Sequence, residues 1–340
     1  MPFRTKICRR TLLSAMVAGV TLATAPAFAE VKQINIANQY SMAHLPLMVM
    51  KDQGFVEKRL KAQGLDDTTV NWLNLAGSSA MMDGLLSGGL QVASTGTSGF
   101  AILWDRTRGQ VKAIGAQTYM PTILVTRDPD VKSPKDLTDK NRIAVPAVGT
   151  SPQAIFLKMA ALELYGKDKV NHFDKMTVTM AHPDAYAAML SGAGGVDTHF
   201  SPPPFPQWEM ERVPGARIIL NSDDLTGGPA TTTVVMANEK FRADSPKAFA
   251  AVSAGLRDAI DYINAHPKEA AEIYLRALKN TKDSVEETAA LITAPGTTFT
   301  YVPKNTVKLF DAMYDVGVLK RKPNDWKELF FPELHDVNGN

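Results

Sequence analysis

Four short segments rich in glycine and hydroxyl-bearing residues lie at residues 39–41, 77–79, 96–98 and 149–151. They suit anion binding, because glycine permits close backbone approach and hydroxyl groups donate hydrogen bonds. Each segment precedes a stretch with helical periodicity, and a helix N-terminus adds free N–H groups with a partial positive charge. We predict that these residues belong to one ligand site: Gln39, Tyr40, Gly77, Ser78, Ser79, Thr95, Gly96, Thr97, Gly149, Thr150 and Ser151.

Helix capping is the alternative explanation for each of these segments. Serine and threonine before a helix are ordinary N-caps, so a single segment is better explained as a cap than as a ligand contact. The recurrence of several such segments favours a shared site. None of them is a phosphate-binding loop, since the Gly-Lys-Ser/Thr sequence and the Rossmann glycine pattern are both missing.

The sequence lacks the motifs that pair a nucleophile with its base. Gly-x-Ser-x-Gly and His-Glu-x-x-His do not occur, and the single cysteine, Cys8, precedes the apolar stretch near the N-terminus. We predict a binding protein that is not an enzyme and uses no cofactor. An exported enzyme that acts on a pyrimidine or a related precursor is the alternative.

Three histidines, His44, His182 and His199, fall near predicted helix starts or strand ends. They could imitate a three-histidine metal site, but no two are four residues apart and only Asp184 supplies a nearby carboxylate. Contact with an organic ligand is the better explanation for His44 and His199. We therefore include both in the predicted ligand site and predict no metal site, with metal binding as the alternative.

Alternating strand and helix patterns occur twice along the chain, first from residue 32 and again from residue 142. Such alternation indicates βαβ units and an α/β fold. Extended segments at residues 122–127 and 231–237 bracket the second series, as expected for strands that cross between two hinged lobes. We predict lobe 1 at residues 30–124, lobe 2 at 125–231, and a return to lobe 1 followed by C-terminal helices at 232–340.

The first 29 residues have the pattern of a cleaved export signal. Basic residues precede an apolar stretch, and "AFA" at residues 27–29 fits a signal-peptidase site. We predict cleavage there and a periplasmic location. Sec and twin-arginine export both stay open, because "RRTLL" at residues 9–13 matches the twin-arginine signal only in part.

Net charge excludes some classes of partner. The chain has 37 basic and 35 acidic residues, and four of the basic ones precede the predicted cleavage site. The mature chain is therefore slightly acidic, which does not favour binding to nucleic acids or anionic membranes. No later segment approaches the ~20 apolar residues of a membrane span. We predict a soluble monomer that binds no nucleic acid.

Several segments resemble the periplasmic substrate-binding proteins of ABC importers. They are "INIANQYSMAHLPLMVMKDQGFVEKRL", "LAGSSAMMDGLLSGGLQVASTGTSG", "IAVPAVGTSPQAIFLKMA" and "PDAYAAMLSGAGGVD". The chain is most similar to the nitrate, sulfonate and taurine group, which also contains binders of thiamin pyrimidine precursors. The resemblance implies a type II periplasmic-binding-protein fold, with two hinged α/β lobes, mostly parallel sheets and C-terminal helices. It also implies a small ligand and, as partners, an ABC permease and an ATPase.

The same resemblance implies pocket loops at residues 39–44, 77–80, 95–98 and 149–153. It also extends the predicted site to two further places. One is the segment after the last strand of lobe 2, which supplies His199, Phe200 and Ser201, and the other is the return hinge at Thr231. Sulfonate binders of the family commonly carry tryptophan where this sequence has His199 and Pro202. This departure puts a simple alkanesulfonate or taurine ligand in doubt.

Aromatic residues near the predicted site leave room for a larger ligand. Tyr40, Phe200 and Phe205 could stack on an aromatic carboxylate, an aromatic sulfonate or a pyrimidine, with core packing as the alternative for both phenylalanines. We predict capture of a small organic anion (sulfonate, taurine-like or aromatic carboxylate) for delivery to the importer. A binder of a thiamin pyrimidine precursor is the alternative.

Overall fold

The structure is a computed structural model that describes residues 1–3, 30–75, 77–280 and 282–340. The predicted cleavage site and almost all of the predicted export signal lie outside these residues. Within the described ranges, no helix combines the length and hydrophobicity of a membrane span. The strands are β1 (Gln33–Asn38), β2 (Thr69–Asn74), β3 (Val92–Gly96), β4 (Val111–Tyr119), β5 (Ile123–Thr126), β6 (Ile143–Val145), β7 (Thr177–Thr179), β8 (Thr198–Ser201), β9 (Arg217–Asn221), β10 (Thr231–Asn238) and β11 (Thr298–Phe299). Strands were expected from the sequence at all of these places except β9 and β11.

The strands form two sheets, one per lobe. The first has the order β2-β1-β3-β10-β4-β11, and the second has the order β7-β6-β8-β5-β9. Successive side chains of β10 enter two different apolar clusters: Val234 and Met236 belong to one, Val235 and Ala237 to the other. Because side chains alternate across a strand, this division shows that both faces of the first sheet are covered.

Helices supply that cover. They are α1 (Leu45–Asp52), α2 (Phe55–Ala62), α3 (Ser78–Leu86), α4 (Thr97–Arg106), α5 (Pro152–Tyr165), α6 (His182–Ser191), α7 (Phe205–Arg212), α8 (Ser222–Thr226), α9 (Glu239–Asp244), α10 (Pro246–Ala265), α11 (Pro267–Ala277), α12 (Val285–Ile292) and α13 (Thr306–Asp315). The C-terminal helices return to the first lobe, where α10 packs on α1 and α2. On the other face, Phe310 of α13 meets Phe100 and Trp104 of α4 at ring-centroid distances of 5.9 and 5.6 Å.

The two extended segments expected to cross between lobes do so. β5 joins the second sheet antiparallel to β8 and β9, and β10 joins the first sheet antiparallel to β3 and β4. The prediction of mostly parallel sheets therefore needs a correction, since parallel pairing is confined to β2-β1-β3 and β7-β6-β8. A strand that arrives from the other lobe enters where the parallel strands end, so it runs opposite to them.

The α/β fold with two lobes is confirmed. The strand order 2-1-3 followed by an antiparallel crossing strand occurs in both sheets, so the lobes share one topology. The predicted lobe limits at residues 124/125 and 231/232 fall within β5 and at the start of β10, and they stay predictions.

Candidate functional site

The two lobes touch where their strands end, and two glycines permit this contact. A Cβ on Gly77 would lie 2.6 Å from the carbonyl oxygen of Pro146 in the other lobe. A Cβ on Gly96 would lie 2.2 Å from Cγ of Pro152, the first residue of α5. Both distances are well inside van der Waals contact, so any larger residue at either position would push the lobes apart.

Hydrogen bonds between the lobes reinforce the same contact. Ser79 Oγ and Thr150 Oγ1 are 3.1 Å apart, and Ser98 Oγ donates to the backbone oxygen of Thr150 over 3.3 Å. Ser79 and Ser98 belong to the first lobe and Thr150 to the second. Three of the predicted segments therefore meet one another, and the cleft between the lobes is closed in this structure.

A small polar cavity, which we call the inner chamber, lies beneath this contact. Its volume is about 20 Å³, enough for roughly one water molecule. The residues that line it are Gln39, Ser41, Ala43, His44, Gly96, Thr122, Pro146, Ser151, Pro152, Gln153, His182, Pro202, Thr232 and Thr233. Two side-chain oxygens of this lining, Thr122 Oγ1 and Gln153 Oε1, are buried without a hydrogen-bond partner among the described residues. Such groups are costly in a folded protein, so they mark a place built for a polar ligand.

The inner chamber is electrostatically suited to an anion although its described lining has no Asp, Glu, Lys or Arg. Gly96, the N-cap of α4, and the first residues of α5 and α6 border it, and helix N-termini carry partial positive charge. Gly96 and Ala181, the N-caps of α4 and α6, offer no side-chain acceptor to those N–H groups. Burial lowers the pKa of His44 to about 3, so this imidazole is neutral and binds Ser94 Oγ through Nδ1 at 2.5 Å.

A larger cavity, the outer chamber, adjoins the inner one and shares Gln39 and His182 with it. Its volume is about 650 Å³. Its wall is rich in aromatic and polar residues and consists of Gln39, Tyr40, Asn74, Leu75, Ala181, His182, Pro183, Asp184, Tyr186, Phe205, Trp208, Ala277, Leu278, Lys279 and Asn280. A volume within ~300–1,000 Å³ is typical of small-molecule sites.

A buried chain of three titratable residues reaches the border of the two chambers. Glu209 Oε1 lies 2.5 Å from His199 Nδ1, and His199 Nε2 lies 2.9 Å from His182 Nδ1. The ring of His182 also stacks on Phe205, with centroids 5.4 Å apart. Burial lowers the pKa of His199 to about 3 and raises the pKa of Glu209 to about 9. Burial also lowers the pKa of His182 far below its ordinary value, so all three of these side chains are uncharged at neutral pH.

Comparison with known protein families shows to which family the chain belongs. The NMT1-like family matches residues 27–278, which is most of the sequence. The chain belongs to the NMT1-like family. No curated protein matches the sequence.

Solved structures share the fold of this NMT1-like chain. The alkanesulfonate-binding protein SsuA from Xanthomonas axonopodis pv. citri, bound to MOPS, is 18% identical over 86% of this chain and 96% of its own, with a TM-score of 0.65. The periplasmic nitrate-binding protein NrtA from Synechocystis is 16% identical over 77% of this chain and 70% of its own, with a TM-score of 0.58. A Candida albicans protein with the generic periplasmic binding protein fold is 16% identical over 86% and 93%, with a TM-score of 0.59. At these identities the similarity establishes the periplasmic binding protein fold.

Many of the predicted site residues come together in this NMT1-like chain. The chambers are lined by Gln39, Tyr40, His44, Gly96 and Ser151, and the lobe contact contains Gly77, Ser79 and Thr150. Ser78 begins α3 beside that contact. Ser151 is also an N-cap, because its Oγ accepts from Ala154 N at 3.3 Å. Gly149 and Thr150 border a separate cavity of about 730 Å³ on the far side of the contact.

Other predicted residues lie behind the chambers. Phe200 is fully buried in the apolar core, where its ring packs 6.2 Å from Phe156, and it lines neither chamber. His199 is likewise fully buried and is joined to the chambers through His182, so the ligand contacts of both residues stay predictions. Ser201 is buried too, and its Oγ has no partner among the described residues.

Three buried threonines support the site from outside the chambers. Thr97 Oγ1 donates to the backbone oxygen of Thr231 over 2.7 Å, and Thr231 Oγ1 accepts from Lys304 N at 2.8 Å. Thr95 is fully buried on β3. These residues line neither chamber, and their predicted ligand contact stays a prediction.

Sequence reasoning missed several residues of the lining. Thr122 immediately precedes β5 and Thr232 is the second residue of β10, and a run of threonines at the second crossing was the available signal. Gln153, in the first turn of α5, was not missed, because it lies in the pocket loop at residues 149–153 that the family resemblance implied. Trp208 and Lys279 come from elements far apart in the sequence, and no local pattern marks them. In the described part of the chain no group of three His, Cys, Asp or Glu side chains could hold a metal ion.

Proposed function

We propose that this NMT1-like protein is a periplasmic solute-binding protein that captures a small organic anion between its lobes and delivers it to an ABC importer. The carrying observation is the closed cleft, where unpaired polar side chains meet three helix N-termini at the end of an aromatic chamber. Solute binding by proteins of the same fold, among them an alkanesulfonate binder and a nitrate binder, supports this proposal.

The two chambers suit the two ends of such a ligand. The inner chamber offers neutral donors and the positive ends of helices, which match one oxygen of a carboxylate or sulfonate group, since its volume of about 20 Å³ admits one water-sized atom. The outer chamber offers the faces and edges of Tyr40, Tyr186 and Trp208 for the organic part. Nitrate would leave a chamber of about 650 Å³ unfilled, so the site favours an organic anion over a small inorganic one.

A thermal-shift panel tests this function. Nitrate, taurine, MOPS, benzenesulfonate, benzoate and a thiamin pyrimidine precursor are added singly to the mature protein at neutral pH. A ligand at 100 times its Kd stabilises the folded state by about 2.7 kcal/mol, so at least one organic anion is expected to raise the melting temperature. An unchanged melting temperature with every organic anion would contradict the proposal. Stabilisation by the pyrimidine alone would support the alternative ligand class.

Tyr40 tests the role of the outer chamber. Tyr40→Ala is expected to weaken binding of an aromatic anion about two- to tenfold, because a stacked aromatic pair is worth about 0.5–1.5 kcal/mol. Tyr314→Ala is the matched control, since Tyr314 is 43% exposed on α13 and Tyr40 is 40% exposed. Isothermal titration calorimetry measures both affinities. Equal affinities for the two variants would show that the aromatic wall does not contact the ligand.

A further inference from the structure

The buried chain of Glu209, His199 and His182 brings a carboxyl group from α7 into hydrogen-bond contact with the cleft, and the inference drawn from it rests on the proposed function. His199 is the middle member, and both of its ring nitrogens are used within the chain. His182 is the last member, and it alone of the three borders both chambers. Its Nδ1 is occupied by His199, so Nε2 is the ring nitrogen that remains for a ligand.

Only two neutral-histidine arrangements satisfy both hydrogen bonds. In the first, the Glu209 carboxylic acid donates to His199 Nδ1, His199 Nε2–H donates to His182 Nδ1, and His182 carries its own proton on Nε2. In the second, Glu209 Oε1 accepts from His199 Nδ1–H, with Glu209 either a carboxylate or an acid protonated on Oε2; His199 Nε2 accepts from His182 Nδ1–H, and His182 Nε2 is an acceptor. Whether Glu209 Oε1 carries a proton therefore decides whether the cleft meets a donor or an acceptor.

The surroundings of Glu209 favour the first arrangement. Its side chain is fully buried, and Oε2 has no hydrogen-bond partner among the described residues. In the second arrangement this unpaired Oε2 is either a carboxylate oxygen or an O–H donor, and each costs more to bury than the unpaired carbonyl oxygen of the first arrangement. The raised pKa of Glu209, caused by burial, agrees with this assignment.

We propose that Glu209 and His199 are positioning residues that fix His182 as a hydrogen-bond donor to the anionic group of the ligand. These three hydrogen-bonded side chains thereby determine the ligand specificity of the cleft. A donor at this position hydrogen-bonds to a carboxylate or sulfonate oxygen, and it offers no lone pair to a metal cation, which requires an unprotonated imidazole nitrogen. When Glu209 loses its proton, the chain reverses and His182 turns its acceptor to the cleft.

Other titratable groups lie around the chain without joining it. They are His44 across the inner chamber, Asp184 and Tyr186 on α6, Lys279 after α11, and the ion pair of Arg212 with Asp283 beside α7. None of them hydrogen-bonds to Glu209, His199 or His182 in the described structure. Titration of Glu209 is therefore the event that reverses the chain.

Nitrogen NMR of the ligand-free protein tests the proposal independently of any ligand. Long-range ¹H–¹⁵N spectra distinguish protonated from unprotonated ring nitrogens, and they are recorded from pH 6 to pH 10 on the wild type and on Glu209→Gln. At neutral pH we expect a protonated Nε2 on both His182 and His199. Above the pKa of Glu209, about 9, we expect both protons to move to Nδ1 together. His44, whose Nδ1 binds Ser94, serves as the internal reference that does not change.

Glu209→Gln is expected to hold the neutral-pH arrangement across the whole range, because the amide N–H₂ still donates to His199 Nδ1 and has no proton to lose. An unprotonated Nε2 on His182 at neutral pH in the wild type would overturn the proposal. So would the absence of a joint shift at alkaline pH, whether or not the variant folds. A positive NMR result with no stabilising anion in the panel would separate failure of the proposed function from failure of this inference.

Discussion

Replacing Gly96 with alanine is expected to lower the affinity for the ligand about ten- to hundredfold. The added methyl group would lie 2.2 Å from Pro152 Cγ, and the proline ring, fixed at the start of α5, cannot turn aside. Overpacking of this kind costs about 1–3 kcal/mol. Because separation of the lobes removes the clash, this cost destabilises only the closed state and therefore lowers the affinity. Isothermal titration calorimetry with the anion that gives the largest thermal shift measures the loss.

Gly89→Ala is the matched control for this variant. Gly89 has no positive φ, and the nearest atom to its added Cβ is Ser87 Oγ at 3.4 Å, an ordinary contact. Both variants are expected to keep the stability of the ligand-free wild type. If Gly96→Ala bound the ligand as tightly as Gly89→Ala, the lobe contact would have no part in binding.

Stability is expected to pass through a maximum at pH 6–7, because the buried histidines and Glu209 titrate in opposite senses. Folding lowers the pKa of His44 and of His199 from 6.5 to about 3, so stability is lost as the pH falls below 6.5 and the unfolded chain takes up protons. Folding raises the pKa of Glu209 from 4.5 to about 9, so stability is lost as the pH rises, because the unfolded chain releases this proton first.

The loss of stability at alkaline pH is assigned to Glu209. From pH 6.5 to pH 9 the expected loss is about 3 kcal/mol, at about 1.4 kcal/mol per pH unit. Urea denaturation across the range measures it. Glu209→Gln is expected to remove the alkaline decline, whereas Glu211→Gln, at an exposed position on the same helix, is expected to retain it. An identical decline in all three proteins would assign the alkaline loss to another group.

The order of strands and helices could be read from the sequence because it depends on local periodicity. Alternating residues in β1 and β10 and the helical spacing of α1 and α5 are local properties of the chain, and the crossing strands stood out as extended runs between the two series. The antiparallel direction of β5 and β10 could not be read in the same way. It depends on where each strand enters a sheet formed by distant residues.

Only the glycine-containing segments of the candidate site could be predicted from the sequence. Gly77 and Gly96 were identified because close approach to the backbone requires glycine, whether a ligand or the other lobe approaches. The direction of the His199 side chain could not be predicted, because adjacent residues of a strand face opposite sides and the sequence does not show which side meets the cleft. Its partner Glu209 lies ten residues on and on a helix, so only the tertiary structure shows that the two side chains meet.

The distance between the lobes in solution shows whether they close on an organic anion. The predicted mature chain has no cysteine, so Lys61→Cys on the first lobe and Lys140→Cys on the second provide exposed sites for a fluorescent pair. We expect a broad distance distribution in the free protein that narrows to the closed value when a stabilising organic anion is added, and no change with sodium nitrate. A distribution that no organic anion of the panel alters would contradict capture of such a ligand by lobe closure.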